Sequence, residues 1–120
     1  MKKESSTNSL NQKAINATCG TAATLTVING RWKVNILWYL LEGKKRYSEL
    51  RDKLPGISER ILVMKLKEME ADGLISRTVH AEVPPRVEYE LTELGQTLEK
   101  MLRAIDDWGN EYRKIIADLS

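Results

Sequence analysis

Residues 56 to 75 read GISERILVMKLKEMEADGLI. Pro55 and Gly56 interrupt the chain just before the run and Gly73 interrupts it near the end, since the residue before a proline avoids helical angles and glycine readily terminates helices. Between these breaks Leu62, Leu66 and Met69 recur at the three- and four-residue steps of one buried helical face, and Ser58 is placed to cap a helix running to about Asp72. With those three turned inward, Arg60, Met64, Lys67 and Ala71 project outward, flanked by Val63 and Glu68. Upstream, KKRYSELRDKLPGIS (44–58) supplies a shorter helix, with Ser48 as its expected N-cap and Lys53 near its end. Two helices joined by a short glycine-containing turn make a helix-turn-helix.

The next residues extend that motif. Ile75, Arg77 and Val79 alternate with Ser76, Thr78 and His80, and Val87, Tyr89 and Leu91 alternate with Glu88 and Glu90, the pattern of two half-buried strands. AEVPPR lies between them, and its two prolines cannot donate to a sheet ladder, so they belong at a projecting tip. Helix, turn, helix and a hairpin with a basic tip predict a winged helix-turn-helix: a mainly α chain with a small β-hairpin, of the α+β class.

On the N-terminal side, residues 1–18 are rich in Ser, Thr, Asn, Gln and Lys and read as a mobile arm. Residues 21–29 suggest a short helix stopped by Gly30, and RWKVNILWYLLE (31–42) a strongly apolar central helix ended by Gly43. On the C-terminal side, Thr92 is expected to cap one long helix over residues 92–119. Its apolar stripe from Leu94 to Leu119 covers roughly 39 Å at the usual helical rise. A domain this small cannot cover such a stripe alone, so its distal half is expected to pack against a second copy with two-fold symmetry. The expected organisation is thus the arm, then one domain over 19–120, with the helix-turn-helix at about 47–72 and the wing at 75–91.

Composition narrows the function. The chain has 120 residues, 42% hydrophobic and 30% charged, with a net charge of +2, which fits a single globular domain. The apolar run around residues 34–41 is far shorter than a membrane helix and contains Asn35, and residues 1–18 hold no apolar segment for a signal peptide, so a cytoplasmic protein is expected. One cysteine, Cys19, and one histidine, His80, supply neither an intrachain disulfide nor a structural zinc site. There is no glycine-rich phosphate loop and no nucleophile elbow, and His80 stands alone on a strand, so neither enzymatic activity nor a cofactor is expected.

Charge is unevenly distributed. Residues 31–86 carry twelve Lys or Arg against eight Asp or Glu, whereas residues 87–120 carry four against eight. The basic excess therefore sits on the helix-turn-helix and wing, as double-stranded DNA requires of a partner. On this reading Ser58, Glu59, Arg60, Val63, Met64 and Lys67 face base edges in a major groove, where apolar groups meet thymine methyls and Arg reaches guanine. Lys44, Lys45, Arg46, Ser48 and Lys53 flank the first helix of the motif as phosphate contacts, and Arg86 at the wing tip reaches a minor groove. The simpler alternative leaves Arg60 and Lys67 solvated and packs Met64 on a neighbour. A winged-helix module that docks proteins instead of DNA is the rival class. It predicts binding insensitive to salt.

The stretches INGRW (28–32), LLEGKKRYSELRDKLPGIS (40–58), LKEMEADGLISR (66–77), EVPPRVEYELTELG (82–95) and DWG (107–109), with Cys19, resemble the HxlR-type transcriptional regulators, relatives of the MarR group. The resemblance spans about residues 19–109. It implies a homodimeric winged-helix regulator that binds an inverted-repeat operator, its dimer formed by the N- and C-terminal helices. Leu25, Ile28, Met101, Ile105, Trp108, Tyr112, Ile115 and Ile116 are the interface residues expected here. Many members of the family carry a cysteine at the position of Cys19, and some use it to sense oxidants, quinones or aldehydes. Gly20 stands where the family often has proline. Cys19 is then either a sensor for a small electrophile or thiol, or a small buried apolar filler. Trp32, Trp38 and Trp108 read as core and interface anchors, with a pocket for a non-covalent aromatic ligand as the alternative.

Overall fold

The computed structural model describes residues 12–119. Most of the expected N-terminal arm lies outside the described residues, and 12–16 are helical. The elements then follow as α1 (Gly20–Ile28), α2 (Trp32–Leu41), β1 (Lys45–Arg46), α3 (Tyr47–Lys53), α4 (Glu59–Ala71), β2 (Ile75–His80), β3 (Arg86–Leu91), α5 (Glu93–Gln96) and α6 (Glu99–Leu119). Three antiparallel strands in the order β1-β3-β2 form the sheet, with Lys45 opposite Tyr89 and Arg77 opposite Tyr89 on its other side. This is a winged helix-turn-helix: α3 and α4 make the motif and β2–β3 the wing.

The core is built where the apolar spacing placed it. Leu62, Leu66 and Met69 of α4 are fully buried, and pack in one core with Ile36, Leu37 and Leu40 of α2, Leu50 of α3, Leu74 just before β2, and Ile75, Tyr89 and Leu91 of the wing. Ser58 caps α4 by accepting a hydrogen bond from the Ile61 N–H at 3.1 Å. Gly56 and Gly73 take φ of +90° and +80°, the left-handed geometry that lets the chain turn sharply on either side of α4.

Several details differ from the reading of the sequence. Ser48 is not the cap: α3 starts two residues earlier than expected, at Tyr47 with Arg46 in the N-cap position, and its entry is held by the Arg46 N–H donating to Glu49 Oε1 at 2.7 Å. The two-residue β1 had not been expected, since so short a strand has no periodicity. The C-terminal helix is two helices, interrupted at Thr97–Leu98, where the Leu98 N–H bonds the Gly95 carbonyl and the Thr97 hydroxyl bonds the Leu94 carbonyl. Ile28, expected at an interface between copies, is closed into the core of its own chain, and Met101 is half-buried against that core.

Thr92 joins the motif to the C-terminal part. Its hydroxyl accepts from the Gly95 N–H, capping α5, and donates to the Gly73 carbonyl at the end of α4. Thr92→Val keeps the shape and removes both bonds. It is expected to cost about 1–2 kcal/mol, read as a lower denaturant midpoint at unchanged slope. An unchanged midpoint would mean that the hydroxyl does not hold this corner.

Candidate nucleic-acid interface

The outward face of α4 follows from its inward one. With Leu62, Leu66 and Met69 buried, Arg60, Val63, Met64, Lys67 and Ala71 are exposed, Val63 and Met64 at 39% and 41%. The Arg60 and Lys67 side chains make no ion pair and no hydrogen bond among the described residues. Glu59 stands in the first turn of α4 and lies 3.9 Å from Arg51 of α3, and the Ser58 hydroxyl is engaged in its cap. Glu68, read as flanking the outward face, turns the other way, toward α2.

A cleft of about 810 Å³ separates this face from the wing, with Arg46, Tyr47, Val63, Lys67, Arg77 and Arg86 on its walls. The Tyr47 hydroxyl is buried beside it with no hydrogen-bond partner among the described residues, and burial, then the Glu59 carboxylate, pushes its pKa up. Tyr89 is likewise raised by burial, while a hydrogen bond with Arg77 pulls it back. Arg77 was missed as a site residue. The alternation grouped it with Ile75 and Val79 on a half-buried face, but only Ile75 of the three is buried, and Arg77 is exposed and bonds Tyr89 opposite it.

The basic groups meant for phosphates are unequally free. Arg46 has no ion pair among the described residues and Ser48 is exposed on α3. Lys53 lies over the Tyr39 ring at 5.3 Å. Lys44 is 3.7 Å from Glu90 and 4.0 Å from Glu88, and Lys45 is largely covered and 3.3 Å from Glu42. Arg86 begins β3, opposite His80, at the base of the wing tip, and it contacts Glu82 at 2.8 Å and Glu88 at 3.3 Å. Glu88 is the hub of this cluster. A hydrogen bond from His80 at 2.7 Å, ahead of the surrounding cations, holds it below the usual carboxylate range.

At the other end of the chain, Ile105, Trp108, Tyr112, Ile115 and Ile116 line one exposed face of α6, with Trp108 and Tyr112 stacked at 5.2 Å. Leu25 of α1 is also exposed. Cys19 occupies the N-cap position of α1 and is exposed in the single chain.

With this geometry in place, comparison with known proteins is decisive. The HxlR-like helix-turn-helix family model matches residues 27–116. The chain belongs to the HxlR family. Among curated relatives, the HTH-type transcriptional regulator YdeP of Bacillus subtilis strain 168 is 46% identical over 101 residues, covering 84% of this chain and 79% of YdeP. Among solved structures, the HTH-type regulator YtcD superposes with a TM-score of 0.76 at 46% identity, over 81% of this chain and 99% of that one. The redox regulator HypR in its oxidised form gives 0.73 at 44% identity, over 78% and 96%. Like its HxlR relatives, the chain is a helix-turn-helix transcriptional regulator, a DNA-binding protein and not an enzyme. No helix among its described residues is long and apolar enough to cross a membrane.

Proposed function

We propose that this HxlR-family chain acts as a homodimer that binds an inverted-repeat operator, with α4 of each copy in a major groove and the wing beside it. The observation that carries this reading is the outward face of α4: two cations, Arg60 and Lys67, left unpaired beside exposed Val63 and Met64, where most neighbouring cations already have a carboxylate or a ring. Such a face suits base edges better than water. Ser58 and Glu59 stand at the groove-entering end of the helix, and Lys44, Lys45, Arg46, Ser48, Lys53 and Arg86 serve the phosphates. The exposed stripe of α6, with Leu25, supports pairing of two copies so that their recognition helices fall on successive grooves, about 34–36 Å apart.

Cys19 is proposed as the sensing group. An exposed thiol at the start of α1 can lose its hydrogen to diamide together with a second thiol, giving a disulfide between copies or with a small thiol, or it can add to an electrophile. Its likeness to HypR, a redox regulator, supports this. A cleft of about 850 Å³ between α2 and α6, lined by Trp38, Tyr39 and Tyr112 among others, favours a second reading, a non-covalent aromatic ligand.

The test is a gel-shift titration on DNA from upstream of the protein's own gene, reduced and after diamide, with Cys19→Ser and Arg60→Ala alongside. Salt-sensitive binding is expected, with Arg60→Ala losing about 1–3 kcal/mol on the operator and little on random DNA. Loss of binding after diamide in the parent but not in Cys19→Ser supports the thiol switch. Binding indifferent to diamide overturns the switch and turns attention to the α2–α6 cleft. Salt-insensitive association, or none with any promoter nearby, overturns the DNA reading in favour of a protein-docking module.

A further inference from the structure

Lys33, the second residue of α2, is 1% exposed, on a helix whose other buried residues are all apolar. Its ammonium lies 2.9 Å from Glu68 Oε1 on α4, as an ionic contact and not an aligned hydrogen bond. Two further groups close the cluster. Lys65 lies 3.8 Å from the same carboxylate oxygen, and a side chain at Gly30, in the α1–α2 corner, would come within 3.7 Å of the Lys65 ammonium. Asp72, the C-terminal cap residue of α4, keeps both carboxylate oxygens buried without a hydrogen bond, in the field of Lys33 and Glu68.

Such a cluster is a poor stabiliser. Desolvating a lysine and two acids costs free energy that one oblique contact does not recover, and apolar replacements of buried pairs are often neutral or stabilising. What a buried pair supplies better is a fixed register between the elements that carry it. Glu68 follows Lys67 by one residue, about 100° around the helix. Pinning Glu68 to α2 therefore fixes the rotation of α4 and with it the direction in which Arg60, Met64 and Lys67 point.

We propose that Lys33 is a positioning residue for DNA recognition: through Glu68 it sets the rotation of α4 against α2, and it links the α1–α2 corner to the base-facing side chains. This rests on the DNA-binding reading above. It makes the start of α2 the route by which a change at α1 reaches the recognition helix.

The test removes the charges of Lys33, Glu68 and Asp72 together, leaving only the partly exposed Lys65. In Lys33→Met, Glu68→Leu, Asp72→Asn, the thermal midpoint is expected to stay near or above that of the parent. Affinity for random DNA is expected to hold, while operator affinity falls about tenfold, the size of one lost base contact. An unchanged ratio of operator to random binding in the folded triple variant overturns the proposal. Should that variant not fold, Glu68→Gln is the second variant: although the stranded Lys33 is expected to lower its midpoint, a lowered ratio of operator to random binding in the folded protein supports the positioning role and an unchanged ratio overturns it. A parent protein that does not distinguish operator from random DNA indicts the DNA reading itself, a separate outcome.

Discussion

A chain carrying Trp108→Glu and Ile115→Glu is expected to sediment as a monomer and to lose operator affinity by about two to four orders of magnitude, the penalty for uncoupling two linked half-sites. The two residues stand seven apart on α6, hence on one face, and both are exposed, Trp108 at 68%. Leu102 is the last fully buried residue of the helix, and beyond it the apolar side chains of α6 are exposed. An apolar stripe of that length in water marks a surface for association. Because neither side chain enters the core, circular dichroism and thermal midpoint of the variant should report an intact winged helix. A variant that remains dimeric at the parent's concentration would place the pairing surface elsewhere. A monomer with parental operator affinity would show that one α4 suffices.

The second large effect concerns stability. Gly95→Ala is expected to cost about 3 kcal/mol or more, with the soluble yield falling accordingly. A Cβ at Gly95 would be driven onto the Leu74 carbonyl oxygen, with the Leu74 carbonyl carbon at 3.1 Å and Leu91 Cδ2 at 3.2 Å. The first of these is backbone, and that same carbonyl accepts the Thr92 N–H at 3.0 Å, so it has little freedom to retreat. Two strands and a helix meet within this small volume. Thermal and urea unfolding of the purified variant measure the loss, and a shift below about 1 kcal/mol would mean that α5 can slide away from β2 without penalty.

Much of the fold could be read from residue spacing alone. Leu62, Leu66 and Met69 announced both the inward face of α4 and its opposite, and Val87, Tyr89 and Leu91 the inner face of β3, since burial on one side of a regular element leaves a period in the chain. Ser58 and Thr92 announced their helix starts because capping is local. What spacing did not carry was tertiary. β1 exists only because Lys45 and Arg46 run beside β3. The break at Thr97–Leu98 falls within Leu94, Leu98 and Met101, whose spacing along the sequence stays helical although Leu94 is exposed and the other two pack on the core, so periodicity passes over it. The engagement of Arg86 by Glu82 and Glu88 depends on hairpin register. Lys33 is an intermediate case. Its place on the same face as Ile36, Leu37 and Leu40 was visible, but its partner Glu68, 35 residues on, was not.

The acids gathered around the wing also set how ionic strength acts on the complex. If Arg86, Lys44 or Lys45 serves a phosphate as proposed, it must leave a carboxylate of its own chain, so one anion replaces another and fewer condensed counterions are set free than the tally of basic residues suggests. The entropy released from the ion atmosphere, the part of affinity that any duplex offers, would then come mainly from the unpaired Arg46, Arg60 and Lys67, and binding would stay salt-sensitive with a shallower slope. On the proposed reading such a protein would leave the wrong sequence quickly, and its grip on the right one would depend on α4.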